Sequence, residues 1–171
     1  EFDLTPRRVD LVSESFDVAI RMGPLPDSGL IARQLARFAQ GLYASPGYVE
    51  ASGTPGHPAE LQQHECITFP HGGTWVLERE QDRVEVQVGG RFRINSVGML
   101  RQMARLDQGV ILVAERIVAE DVAAGRLIRL LPEWRGPAVP VYAVTETRLL
   151  PAKTLRFIEF LQEQLAPPPA G

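Results

Sequence analysis

Residues 107–131, DQGVILVAERIVAEDVAAGRLIRLL, contain the pattern that decides the fold. The run Val110-Ile111-Leu112-Val113 is short and apolar, which is typical of a buried strand in a parallel arrangement. A helix is predicted over 116–124, and Gly125 is the kind of residue that commonly follows the end of a helix. Another strand is predicted over 126–131. Strand, helix and strand in this order indicate an α/β architecture.

The first 45 residues continue this pattern. Thr5 followed by Pro6 predicts the N-cap and first turn of a short helix. Residues 16–20, FDVAI, alternate as in a strand with one heavily buried face. The long stretch 30–45 contains no proline, and it predicts a strand able to pass between two lobes.

The middle of the chain predicts short helices and a β meander. Prolines open two helices, over 46–51 and 58–63, and His57 is placed to cap the second. Strands are predicted over 66–69, 75–77 and 83–88. Gly89-Gly90 is a two-residue turn signal, so residues 92–94 are predicted to pair as the next strand of the meander.

The last third contains two amphipathic helices. Asn95-Ser96 can cap the first, which is predicted to end at Gly109. Residues 139–145 are predicted to be extended, and Pro151 opens the final helix. The apolar stripe of that helix comprises Leu155, Ile158, Leu161 and Leu165.

Composition excludes several classes of protein. The 171 residues carry a net charge of −3, and the scattered Lys and Arg residues form none of the basic stripes that phosphate contacts require. No apolar run approaches the length of a membrane helix. Cys66 is the single cysteine, which excludes an internal disulfide and suits a reducing cytoplasm. We therefore expect a soluble, cytoplasmic protein without a membrane partner.

Candidate chemistry is sparse. His57, His64 and His71 lie seven residues apart and lack the spacing of a metal site, so we expect no metal and no cofactor. There is no G-x-S-x-G motif, and Ser45 precedes a proline in a capping position. We predict no catalytic residue, although a small hydrolase using His64 or Ser45 remains an alternative.

The helix starts at Thr5-Pro6 and Asn95-Ser96 are more informative. Free backbone N–H groups and the helix dipole at such positions attract small anions such as carboxylates. Taken alone, each cap also has an ordinary structural explanation. Both gain functional meaning only where the fold brings them to one cleft.

Three stretches resemble the C-terminal domain of LysR-type transcriptional regulators. They are 7–36 (RRVDLVSESFDVAIRMGPLPDSGLIARQLA), 42–69 (LYASPGYVEASGTPGHPAELQQHECITF) and 107–134 (DQGVILVAERIVAEDVAAGRLIRLLPEW). The matching steps include Asp17-Val18-Ala19-Ile20-Arg21, Ala44-Ser45-Pro46 and Gly125-Arg126-Leu127. The resemblance covers nearly the whole chain in order.

The resemblance implies an α/β fold like that of type 2 periplasmic binding proteins, in which two Rossmann-like lobes are joined by two crossover strands. Lobe I is expected to comprise residues 1–38 and 146–171, and lobe II residues 39–145. A small effector is expected in the cleft between the lobes, and no enzymatic activity is expected.

Carried over position by position, the resemblance implies eight effector-binding residues. An arginine in this set would add a bidentate partner for a carboxylate, so a carboxylated metabolite is expected; the alternative for this arginine is a surface charge or an interlobe salt bridge. The expected residues are Leu4, Thr5, Arg21, Met22, Gly23, Asn95, Ser96 and Val97.

The family's sensing domain normally begins with a strand and helix before the segment EFDLTP, so lobe I is expected to be truncated at its N-terminus. DNA is expected to be bound only through a helix-turn-helix domain that is absent here. The family also suggests homodimers or homotetramers, with the predicted helix at 7–14 as a contact. The alternative from another class is a solute-binding protein of a transport system.

Overall fold

The computed structural model describes Asp3, residues 16–25, Asp27 and residues 29–166. The chain divides into two compact units, one formed by 1–38 with 139–171 and the other by 39–138. Residues 139–145, which were expected in lobe II, fall in the first of these units. No helix in the described ranges is both long and apolar enough to cross a membrane.

Unit 1 contains strand β1 (Ala19–Met22) and helix α4 (Ala152–Leu165). Strand β1 pairs antiparallel with β7 (Gly136–Thr145), so that Arg21 lies opposite Tyr142. Helix α4 contributes Ile158, which is 2% exposed, to the core of this unit. The core also contains Leu35, Val141 and Ala143.

The predicted faces of two unit 1 elements need correction. Val18 packs against the core, but Ile20, expected on the same buried face, is 45% exposed. Leu155 of α4 is 39% exposed, whereas the other three residues of the predicted stripe belong to the core or pack against it: Ile158, Leu161 and Leu165. Thr154, which was not predicted, is also buried. The prediction of a helix over 5–12 lies outside the described residues.

Two strands have residues in both units. Strand β2 (Ile31–Ala44) begins in unit 1 and ends in unit 2, and β7 runs in the opposite order along the chain. The two strands are neighbours in one sheet. Its order is β1-β7-β2-β5, where β5 is Ile111–Ala114, and β6 (Ile128–Leu130) also pairs with β2. The prediction of a long strand over 30–45 is therefore confirmed.

Unit 2 contains the remaining elements. After helix α1 (Pro46–Ser52) and a 3₁₀ helix (Pro58–Gln63), the hairpin of β3 (Thr74–Arg79) and β4 (Asp82–Gln87) follows. The rest of the unit is formed by α2 (Val97–Arg105), β5 (Ile111–Ala114), α3 (Glu115–Ala123) and β6 (Ile128–Leu130).

Successive residues of β2 point into two different cores of unit 2. Leu42 packs with Trp75, Leu77 and Trp134 on one side of the sheet. Tyr43 packs on the other side with Leu100 of α2 and Val118 of α3. This alternation follows from the two-residue period of a strand, and it explains why neither side of β2 is polar in this part.

The predicted turn at Gly89-Gly90 is wrong. The hairpin between β3 and β4 turns at Glu80-Gln81, and residues 92–94 pair with Thr68 rather than with β4. The N–H of Cys66 donates to the carbonyl of Gly89 at 2.9 Å. A Cβ on Gly90 would lie 2.6 Å from the carbonyl oxygen of Cys66. Gly90 therefore permits a close backbone approach to Cys66, and the two glycines do not form a hairpin turn.

Candidate functional site

The carboxyl ends of three extended segments meet in unit 2. Cys66 bridges Val110 in parallel, and Thr68 bridges Arg93 in parallel, so the chain runs in one direction through all three segments. Beyond these ends lie Phe69, the start of α2 and the start of α3. In α/β sheets, ligands bind outside the carboxyl ends of parallel strands. This edge is therefore the candidate site.

A cavity of about 270 Å³ lies in unit 2 next to these ends. Its lining includes Thr68 and Phe69 from the end of their segment, Trp75 from β3 and Leu100 from α2. Gln40 of β2 and Pro137 of β7 also line it, and so do Ile67, Gly72, Thr74, Val76 and Leu112. Apolar side chains predominate, as is usual in sites for small organic molecules.

The predicted residues Asn95, Ser96 and Val97 lie at the start of α2. Ser96 is the N-cap, and its hydroxyl accepts a hydrogen bond from the N–H of Met99 at 3.4 Å. Asn95 is exposed, whereas Ser96 and Val97 are half-buried. The helix that they open contributes Leu100 to the cavity one turn later, but none of the three predicted residues lines it.

The other predicted residues belong to unit 1. Arg21 and Met22 end β1, and Met22 is 47% exposed. Gly23 follows with φ of 90° and donates its N–H to the carbonyl of Pro140 at 2.9 Å. Leu4 and Thr5 lie outside the described residues. Binding of one effector by residues of both units stays a prediction.

The residues that line the cavity, above all Thr68, Phe69 and Trp75, are not among those predicted from the sequence. A signal was available, since residues 66–69 were predicted to form a strand. Ligands bind outside the carboxyl ends of parallel strands, so Thr68 and Phe69 at the end of that strand could have been predicted as binding residues. Trp75 has no such signal, because its alternating strand fits any half-buried hairpin.

A buried carboxylate fixes α2 against α3. Asp121 of α3 has a fully buried side chain and forms ion pairs with Arg101 and Arg105 of α2 and with Arg126. Hydrogen bonding from Arg101 lowers the pKa of Asp121 to about 2, although burial opposes the shift. The carboxylate is therefore ionised at neutral pH. It holds in place the helix that supplies Ser96 and Leu100.

The side chains proposed for hydrolase chemistry make structural contacts. Ser45 caps α1 by accepting from the N–H of Tyr48 at 3.2 Å. The hydroxyl of Tyr48 lies 3.1 Å from Nδ1 of His64 and accepts from the N–H of Glu65 at 3.0 Å. Burial raises the pKa of the Cys66 thiol to about 12, so this group is not a nucleophile at neutral pH.

His57 caps the 3₁₀ helix as predicted, because its Nδ1 accepts from the N–H of Ala59 at 3.2 Å. Its ring lies edge-on to Trp134, with 5.6 Å between ring centroids. Within the described part of the chain, no group of three His, Cys, Asp or Glu side chains could hold a metal ion.

Comparison with known protein families identifies the family of this chain. The model of the LysR substrate binding domain matches residues 1–166. The chain belongs to the LysR substrate binding domain family. This membership confirms both the resemblance and the two-lobed α/β fold class predicted from it, and it does not favour a solute-binding protein of a transport system.

Individual relatives are transcriptional regulators. The HTH-type transcriptional regulator PtxR of Pseudomonas aeruginosa is 37% identical over 169 residues, which are 94% of this chain and 53% of that protein. The chain thus spans about half the length of the curated relatives that it matches.

Two solved structures are also similar. The CrgA regulatory domain of Neisseria meningitidis superimposes with a TM-score of 0.79 at 31% identity, covering 91% of this chain and 78% of that one. The full-length Vibrio cholerae virulence activator AphB gives 0.80 at 27% identity, covering 97% and 58%. These two neighbours are therefore a regulatory domain and a whole regulator containing such a domain.

Proposed function

We propose that this chain is the effector-binding and oligomerisation domain of a longer bacterial transcriptional regulator. In this proposal a small metabolite binds the domain, shifts its conformational equilibrium, and thereby changes how a separate helix-turn-helix domain binds DNA. The whole protein would act in the cytoplasm as a homodimer or homotetramer. The observation that carries the proposal is the cavity at the carboxyl ends of the parallel segments in a chain of this family.

The proposal assigns no catalytic step to this domain. The side chains that could supply a nucleophile or a base, Ser45, His64 and Cys66, are engaged in a cap, a tyrosine contact and a buried core. None of the three lines the cavity. The regulator names of the relatives support the same conclusion.

Two side chains from the original prediction remain in the proposal as effector contacts, Arg21 and Ser96. An arginine and a helix start are suited to a carboxylate. The preference for a carboxylated metabolite depends on these two residues, and it is separate from the chemistry of the cavity.

Thermal denaturation with a panel of metabolites tests the proposal. An effector present at about 100 times its Kd raises the free energy of unfolding by about 2.7 kcal/mol. We expect at least one carboxylated metabolite to stabilise the chain, and Arg21→Ala or Ser96→Ala to weaken that shift. Ser96→Thr, which keeps the cap, and Arg156→Ala, whose side chain is 85% exposed, serve as controls.

A panel in which no metabolite shifts the transition would contradict effector binding. If a metabolite stabilises both alanine variants as strongly as the wild type, the assignment of Arg21 and Ser96 is wrong, whereas the effector-binding function still stands.

A further inference from the structure

The cavity in unit 2 has uncharged walls. Among the described residues that line it, the polar side chains are Gln40, Thr68 and Thr74, and none of them is ionisable. A carboxylate or ammonium group finds no partner of opposite charge on these walls, which disfavours any contact in which it gives up its hydration. The chemistry of the walls therefore selects against a charged group.

Thr68 offers the cavity an unused hydrogen-bonding group. The residue is only 4% exposed, and its backbone N–H and carbonyl are paired with Phe92 and Ile94 at 3.2 and 2.8 Å. Its hydroxyl forms no hydrogen bond with any described residue. A molecule in the cavity can therefore form a hydrogen bond with this hydroxyl.

The apolar walls suit a ring. Trp75 is 7% exposed and Phe69, at 39%, is partly open to solvent, so two aromatic faces are available for offset or edge contacts. Leu100 and Leu112 complete the apolar lining. Apolar cavities of roughly 150 Å³ already hold benzene, so a volume of about 270 Å³ accommodates one substituted ring.

We infer that this cavity binds an uncharged aromatic or cyclic aliphatic group that presents one hydroxyl or carbonyl to Thr68. The inference rests on the proposed function, since the group would be the apolar end of the effector. A carboxylate held by Ser96, which belongs to the same unit as the cavity, would lie elsewhere on the same molecule. The inference thus divides the effector into a neutral end and a polar end.

Three simple probes test the inference: benzyl alcohol, toluene and terephthalate. The first two are neutral and differ in a hydroxyl, while terephthalate carries a carboxylate at each end, so every orientation would place a charge in the cavity. The indole N–H signals of Trp75 and Trp134 in a two-dimensional NMR titration report binding. Both residues lie in unit 2, but only Trp75 lines the cavity.

Two adjacent glycines provide a matched pair of variants. Gly72 lines the cavity, and a Cβ there would meet only ordinary contacts, the nearest at 3.4 Å. Gly73 does not line it, and its nearest neighbour would be at 3.9 Å. Gly72→Leu should fill the cavity, whereas Gly73→Leu should leave it open.

Thr68→Val removes the hydroxyl without changing the size of the side chain, and it tests the inference even if Gly72→Leu fails to fold.

We expect benzyl alcohol and toluene to shift the Trp75 signal but not that of Trp134, and terephthalate to bind at least about tenfold more weakly. Gly72→Leu should abolish both shifts and Gly73→Leu should preserve them. Thr68→Val should weaken benzyl alcohol several-fold and leave toluene unchanged.

The inference would be overturned if neither neutral probe binds at millimolar concentration. It would also be overturned if terephthalate binds as tightly as benzyl alcohol. A third contradicting result is an equal affinity for benzyl alcohol in the wild type, Gly72→Leu and Thr68→Val. A metabolite that stabilises the wild type and Gly72→Leu equally would also refute this use of the cavity while the proposed function stands. Conversely, a metabolite panel without any hit would refute the proposed function, although the neutral probes could still bind.

Discussion

Nε of Arg126 donates a hydrogen bond to Oδ1 of Asp121 at 2.7 Å, and the side chain of Asp121 is fully buried. The other carboxylate oxygen accepts from Nε of Arg101 on α2. One carboxylate therefore connects α2, α3 and the segment between α3 and β6. Because α2 supplies Ser96 and Leu100, this contact fixes one wall of the candidate site.

Asp121→Asn should lower the free energy of unfolding by roughly 3 kcal/mol, which is the low end of the cost of breaking a buried ion pair. The low end applies because the arginines are 31–43% exposed and can regain water. Chemical denaturation measures the change. Asp82→Asn is the control, since its pair with Arg79 is exposed and should contribute less than about 1 kcal/mol. Equal effects of the two variants would contradict the role of Asp121.

The contribution of Asp121 should also depend on pH. Its pKa is about 2 in the folded protein and 3.8 ordinarily, so the unfolded chain takes up a proton first as the pH falls. The stabilisation is fully present above about pH 5 and is lost progressively as the pH falls towards 2. The difference in unfolding free energy between the wild type and Asp121→Asn should therefore shrink between about pH 5 and pH 3. A constant difference over this range would refute the assignment.

Local signals in the sequence were sufficient for most elements of the fold. Ser96 and Ser45 cap helices, and Gly125, with φ of 69°, follows the end of α3. Each of these positions depends on residues within one turn. The turn of the β3–β4 hairpin was missed because Glu80, with φ of 52°, carries no turn signal in the sequence.

The candidate site could be predicted only in part for a different reason. Gln40, Thr68 and Pro137 come together at one cavity although they are far apart in the sequence. No periodicity or cap indicates such a meeting. The family resemblance supplied the helix start at Ser96, but the cavity wall is formed by the following turn at Leu100.

Tyr48→Phe should destabilise the chain by about 1–2 kcal/mol. The hydroxyl of Tyr48 accepts from the N–H of Glu65 at 3.0 Å, and its removal leaves a part-buried backbone donor without a partner. Thermal denaturation measures the loss. His64→Ala is the matched control, because it removes the imidazole contact of the hydroxyl but preserves the acceptor for Glu65. A larger loss in His64→Ala than in Tyr48→Phe would show that the imidazole contact dominates.

Adjacent glycines at 89 and 90 should respond oppositely to alanine. A Cβ at Gly90 would lie 2.6 Å from the carbonyl oxygen of Cys66 and 3.0 Å from its nitrogen, whereas a Cβ at Gly89 would have nothing within 4 Å. Since backbone atoms cannot yield as a flexible side chain does, Gly90→Ala should cost about 1–3 kcal/mol. Gly89→Ala should be neutral or stabilise by up to about 1 kcal/mol, because it restricts the unfolded chain. Denaturant titration measures the free energy of unfolding of both variants. Equal values would mean that Gly90 has space around it and does not lie close to the backbone of Cys66.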